Sequence, residues 1–282
     1  MYSKITSCSK MSEKAFGCML KNLTTEDSDH LLILDIRLYV FVFVLLPMAV
    51  IGLLLNSFTI LVLLHPRMRN STNIYLTALS IANIVCLFNF IFLYSFRYLF
   101  SYTFFQKTIR CGTDDMNMFE SFINLSLRFI APIFSTFQLY AIYLTCAVTI
   151  DRWIYLKWPL KADTICTTKV TIKIICGVFA FCVLYNLPRW FEVQSQVKVS
   201  SQNRTYYQAN GTEFGSNPLY RTIYQRYGYL IFVYGLPFCV LLLVNIGIIQ
   251  KLIETEKRKH TLLGKNIFEY KYAIRLFVIY NI

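Results

Sequence analysis

The chain has 282 residues, of which 56% are hydrophobic, 17% aromatic and only 15% charged. A soluble domain of this length needs more charge on its surface, and here the apolar residues come in blocks, so an ordinary water-soluble globule is excluded in favour of a polytopic membrane protein. The net charge of +13 would suit a nucleic-acid binder, but no nucleic-acid-binding motif accompanies it, and the basic residues gather between the apolar blocks.

Residues 1–23 carry scattered lysines and no long apolar core, which is unlike a cleaved signal peptide. The first apolar run is therefore expected to act as its own insertion signal. A tail of residues 1–35 precedes it, with Glu26, Asp27, Asp29 and Asp35 offsetting the lysines. Uncharged runs then occupy residues 38–64, 72–96, 129–150, 174–188 and 227–250. A helix needs roughly 20 residues to cross the hydrocarbon. The fourth run is shorter, but Lys173 and Arg189 flank it and can snorkel to the interfaces. A sixth run begins near Ala273 and reaches the last residue, Ile282. Helices satisfy every backbone donor and acceptor inside a bilayer. The expected fold is an all-α membrane bundle over residues 36–282, with five complete helices and the start of a sixth.

Basic residues follow the odd-numbered runs. Arg67 and Arg69 follow the first, Lys157, Lys161, Lys169 and Lys173 separate the third from the fourth, and Lys257, Arg258, Lys259, Lys265 and Lys271 follow the fifth. The positive-inside rule puts these loops in the cytosol and the amino terminus outside. The sequons at Asn22, Asn203 and Asn210 then fall outside as glycosylation candidates. Asn124-Leu125-Ser126 lies near the outer end of the third span, close to lipid, and Asn70-Ser71-Thr72 lies inside, where it stays bare. Expected loops run over residues 97–120 and 189–218 outside, and over 157–168 and 254–271 inside.

Within the spans, Asn56 and Asn83 are polar groups that need partners on neighbouring helices. Asp151 and Arg152 form an acid–base pair where the third span leaves the lipid, with Trp153 as an interfacial aromatic. Pro188 terminates the fourth span and Pro237 kinks the fifth. Of nine cysteines, Cys86, Cys146, Cys176, Cys182 and Cys239 lie in spans, and Cys166 is cytosolic. Cys8, Cys18 and Cys111 lie outside; Cys111 with Cys18 or Cys8 makes a candidate bridge whose pairing an odd count leaves open. His30, His65 and His260 occupy separate polar segments, and no nucleophile–base or metal-ligand spacing appears. Neither an enzyme nor a cofactor is expected.

Asp151-Arg152-Trp153 followed by Pro159-Leu160 resembles the D-R-Y…P-L signature that closes the third helix of rhodopsin-like (class A) G-protein-coupled receptors. Gly52 to Asn56 and the stretch His65 to Leu76 resemble their first helix and first inner loop. The run 185–192, Tyr-Asn-Leu-Pro-Arg-Trp-Phe-Glu, is similar to the N-[IL]-P-R-[FW]-[FW]-E run of FMRFamide-like neuropeptide receptors, as is Ile165-Cys166-Thr167. The resemblance implies a seven-helix bundle in the plasma membrane, with an extracellular peptide as ligand and a heterotrimeric G protein as partner. It also implies that Asp151 holds Arg152 at rest, that Arg152 is freed to meet the G protein, and that Leu160 is the apolar knob that docks there. Phe134, Ser135, Gln138 and Tyr234 are then candidate ligand contacts, and Glu192 is a candidate partner for a guanidinium of the peptide. Phe134 stands where amine receptors carry an Asp, which argues against an amine.

Several positions depart from that pattern. Asn83 stands where most such receptors have the sodium-binding Asp, with Ala141 in place of a Ser, so no sodium site is expected. Leu127 occupies the usual helix-three cysteine position, residues 184–238 contain no Cys, and Asn245 replaces a Tyr of the fifth helix. The helix-six and helix-seven motifs do not occur before Ile282, so residues 1–282 alone are expected not to signal. Two rival readings are a receptor form that modulates a partner receptor and a polytopic transporter. The span centres hold no acidic or basic residue, which disfavours the transporter.

Overall fold

A computed structural model describes residues 32–33, 36–68, 70–96, 118–199 and 205–263. Among them, five helices have the length and apolar composition to cross a membrane: Ile36–Leu63, Ser71–Phe96, Ser121–Lys157, Thr168–Phe191 and Pro218–Lys257. They are the first to fifth spans, and each coincides with one of the five uncharged runs to within one residue or contains it. The tail at residues 1–31 with Asn22 and Cys18, the sequon asparagine Asn203, Cys111 and the expected sixth run lie outside the described residues.

Local chemistry fixes the helix starts. The Asn70 side chain accepts from the Asn73 backbone N–H at 2.8 Å and opens the second span, and Thr167 does the same for Val170 at the fourth. Pro159 opens a short helix, Pro159–Ile165, where its missing N–H costs nothing.

Three boundaries differ from the sequence reading. The third helix begins at Met118, because Glu120 and Arg128 interrupt an apolar run without disfavouring a helix. The fifth begins at Pro218 and continues to Leu263, so part of the expected loop 254–271 is helical; a Lys251–Glu254 ion pair of 2.9 Å lies along it. The segment 189–218 is not all loop: β1 (Val193–Val199) and β2 (Thr205–Gly211) form an antiparallel hairpin with Val193 opposite Gly211 and Val199 opposite Thr205.

The third span is the centre of the bundle, with 33% of its apolar window buried against 6% for the first. A core of Tyr75, Ala82, Leu139, Tyr140, Leu144, Val148, Cys182 and Val233 joins the second to fifth spans. Asn83 Nδ2 donates to Asn56 Oδ1 at 3.3 Å, and Asn56 Nδ2 donates to the Gly52 carbonyl at 2.8 Å, so the two amides bind the first span to the second. Gly52 permits the approach: a Cβ there would lie 2.9 Å from a Leu87 methyl. In the fifth span a π-helical stretch, Leu230–Gly235, ends just before Pro237, which has no N–H to donate to the turn above it. The Cys146 thiol of the third span donates to the Pro237 carbonyl at 3.8 Å.

The hairpin sits on the far end of the third span from Asp151. Ser195 Oγ donates to the Asn124 carbonyl at 3.1 Å, Asn124 Nδ2 to the Tyr207 carbonyl at 3.3 Å, and the Tyr207 N–H to Ser121 Oγ at 2.8 Å. Asn124 is buried and its amide nitrogen is spent on this bond. After the hairpin, Thr212 caps the short helix Glu213–Ser216 by accepting from the Gly215 N–H at 3.0 Å. A Cβ on Gly215 would lie 2.4 Å from the Glu192 carbonyl oxygen. Gly215→Ala is expected to cost about 1–3 kcal/mol of stability through this clash, read as a lower Tm of the purified protein in detergent. Gly177→Ala, where an added Cβ meets nothing within 4 Å, should leave Tm unchanged or raise it.

Candidate functional site

The third span ends in Asp151, Arg152 and Trp153, and each of the three is differently placed. Asp151 is 5% exposed. Ser71 Oγ donates to its Oδ1 at 2.9 Å and Thr72 Oγ1 to its Oδ2 at 2.7 Å. The Ser71 and Thr171 hydroxyls lie 2.6 Å apart, which draws the fourth span into the same network. A buried carboxylate without partners is heavily penalised, whereas hydrogen bonds to a charged group contribute about 1.5–3 kcal/mol each. Asp151 therefore fastens the start of the second span to the end of the third. Ser71, Thr72 and Thr171 were not legible as its partners, because hydroxyls at helix starts are common as caps.

Arg152, with Asn70, Asn73, Tyr155, Asn245 and Ile248, lines a cavity of about 660 Å³ between the second, third and fifth spans. Trp153 turns toward the fifth span, where a Cβ at Gly247 would come within 2.9 Å of its Nε1. Its ring meets Trp158 edge-on at 5.3 Å, and the Lys157 ammonium lies 4.4 Å and 4.6 Å from the two ring centroids. Trp153 is thus a packing residue between the third and fifth spans. Pro159 starts the short helix that follows, and Leu160 on it is 96% exposed.

At the hairpin end the other candidate residues do not form a single cluster. Ser135 is buried and accepts from Arg189 Nη1 at 3.0 Å. Gln138 Oε1 accepts from the Tyr229 hydroxyl at 3.4 Å, and the Tyr229 ring stands edge-on to Tyr234 at 5.5 Å. Tyr234 itself is 56% exposed. Phe134 packs edge-on against Tyr94 at 6.4 Å. Glu192 accepts from the Tyr220 hydroxyl. Pro188 lies in the 3₁₀ turn Leu187–Phe191 that closes the fourth span. Asn210 on β2 donates to Gln196 Oε1 at 2.8 Å. The sequence reading has Arg189 reach outward to the lipid interface; it reaches inward to the third span instead, because a buried hydroxyl and a tyrosine ring are within its length.

Five membrane-length helices, with the third as the most buried and a buried acid and a cavity-lining arginine at its end, define a multi-pass helical membrane protein. Residues 55–280 match the family described as 7 transmembrane receptor (rhodopsin family), and the chain belongs to that family, one of receptors rather than enzymes. The FMRFamide receptor of Drosophila melanogaster is 26% identical over 219 residues, which cover 76% of this chain and 37% of that protein. An FMRFamide peptide receptor of Caenorhabditis elegans is 22% identical over 219 residues, covering 77% of this chain and 48% of that protein. The chain thus spans less than half the length of either relative. The resemblance carried by the third-span signature and by residues 185–192 extends over most of the chain.

Asp151→Ala removes the acceptor of two hydroxyls and is expected to lower stability by about 1–3 kcal/mol, measured by thermal unfolding in detergent. Asp151→Asn keeps one carbonyl oxygen for these donors and should lose less.

Proposed function

We propose that this chain carries the membrane bundle of a plasma-membrane receptor that takes an extracellular peptide and passes the signal to a heterotrimeric G protein. In this reading residues 1–35 are an extracellular tail and 36–282 belong to the bundle. The observation that carries it is Arg152, whose position on a cavity of about 660 Å³ at the Asp151 end gives a permanently charged guanidinium access to a partner. The lysines and arginines that follow the first, third and fifth spans support placing that end in the cytosol. Leu160, almost fully exposed on its short helix, supplies the apolar contact for the G protein. The opposite end, with Phe134, Ser135, Gln138, Glu192 and Tyr234, receives the peptide. The names of the two relatives make FMRFamide-like peptides the ligand class to try first. Asn22, Asn203 and Asn210 are glycosylation sites on the same side, and Cys18–Cys111 is a bridge to test there.

The test uses cells that express the full-length protein containing this chain. Arg152→Ala should reduce the peptide-evoked G-protein response at least about tenfold, equivalent to ~1.4 kcal/mol or more, at unchanged surface expression. A cysteine placed at Leu160 should react with a membrane-impermeant thiol reagent only after the cells are opened. An undiminished response, or labelling of intact cells, would refute the reading.

A further inference from the structure

Arg189 at the hairpin end has no part in the coupling and binding roles above. It lies in the 3₁₀ turn Leu187–Phe191 at the end of the fourth span. Its Nη1 donates to Ser135 Oγ at 3.0 Å, and its Cζ stands 5.2 Å from the Tyr229 ring centroid. The Tyr224 hydroxyl also contacts it while donating to the Tyr185 carbonyl at 2.6 Å. Among the described residues no carboxylate forms an ion pair with this guanidinium. Glu192, three positions on, is engaged by Tyr220.

Two buried side-chain polar atoms among the described residues have no hydrogen-bond partner: Arg189 Nε and the Tyr185 hydroxyl oxygen. They belong to the same place. Both side chains abut the Gly228–Tyr229 step of the fifth span, since a Cβ on Gly228 would lie 3.3 Å from the Tyr185 hydroxyl and Arg189 covers the Tyr229 ring. A buried unpaired donor loses its hydration without return, and a buried cation without an acid loses more. Two such deficits side by side call for one group that satisfies both. The guanidinium needs an acceptor oxygen, and the hydroxyl oxygen has lone pairs for a donor. A primary carboxamide offers a carbonyl oxygen and an N–H₂ two bonds apart.

We propose that Arg189 and Tyr185, steadied by Ser135, form a subsite for the C-terminal carboxamide of the bound peptide. The carbonyl oxygen accepts from Arg189 and the amide N–H donates to the Tyr185 oxygen. The Tyr224 ring, 5.2 Å from that of Tyr185 and 5.1 Å from that of Tyr220 between centroids, stands with them beside this subsite and suits an aromatic C-terminal side chain. This assignment rests on the peptide-receptor reading above.

The test is a binding cycle on the full-length protein with two probes: FMRFamide, and Phe-Met-Arg-phenethylamide, which keeps every side chain and lacks the terminal carboxamide. The unaltered receptor should prefer FMRFamide by about tenfold or more, the scale of one or two hydrogen bonds to a charged group. Arg189→Gln should reduce that preference to near unity, and Tyr185→Phe should reduce it in part. Arg189→Lys, which retains the charge and loses the fork, should also reduce it, and it serves where the Gln variant binds too weakly to measure. A preference that survives both Arg189 substitutions overturns the subsite and leaves the peptide reading standing. So does an equal loss for both probes, which marks Arg189 as merely structural. A free-acid peptide that binds the unaltered receptor better than FMRFamide overturns the carboxamide assignment. Failure of the unaltered receptor to bind FMRFamide removes the peptide reading, and this subsite with it.

Discussion

The bundle depends on how a single buried carboxylate is satisfied. Asp151 lies at the end of the central helix, where leaving it bare would be costly. Hydroxyls from Ser71 and Thr72 satisfy both its oxygens, and Thr171 extends the contact to the fourth span. Apolar packing gives little direction to helices in lipid, because tails are as apolar as leucine. Directional bonds at one end and the Asn56–Asn83 pair between the first two spans therefore set the register that the core of Leu139, Leu144 and Val148 then fills. The cavity beside Arg152 is a by-product of that register, since Asn70 and Asn73 at the start of the second span form one of its walls.

The helices were legible in the sequence because hydropathy is a sum over many residues and tolerates local exceptions. Their ends were not, because Arg128 and Glu254 interrupt an apolar run without interrupting backbone hydrogen bonding. The hairpin is hidden in the sequence for a related reason. Ser195 breaks the alternation of Val193, Val197 and Val199 with polar residues, and the Asn-Gly pair of this segment, Asn210-Gly211, lies at the far end of β2 and not between the strands. Site residues divided along the same line. Asp151 and Arg152 stood out because charge is rare next to a membrane span. Their partners Ser71, Thr72 and Thr171 did not, since threonine and serine also serve as ordinary caps. The direction of Arg189 is not legible in the sequence because a terminal arginine has two ways to be satisfied, outward through water or inward through a hydroxyl, and only the three-dimensional position of Ser135 decides between them.

Trp153 illustrates how a departure from a family pattern is absorbed. An indole is larger than a phenol, and Gly247 on the fifth span supplies the space. Lys157 then stacks its ammonium between Trp153 and Trp158, so a charge that would face the lipid interface has an aromatic surround. The substitution at one helix end is thus matched by a residue nearly a hundred positions away and by two neighbours on the same chain segment.

The attachment of the hairpin has a kinetic consequence. Residues 184–238 contain no sulfur, and among the described residues hydrogen bonds of Ser121, Asn124, Ser195 and Tyr207 join β1 and β2 to the third helix. Weak bonds of this kind break and re-form rapidly, whereas a covalent cross-link waits for thiol exchange. The hydrogen bonds between the hairpin and the third helix therefore form at the pace of folding itself, with no oxidation step in between.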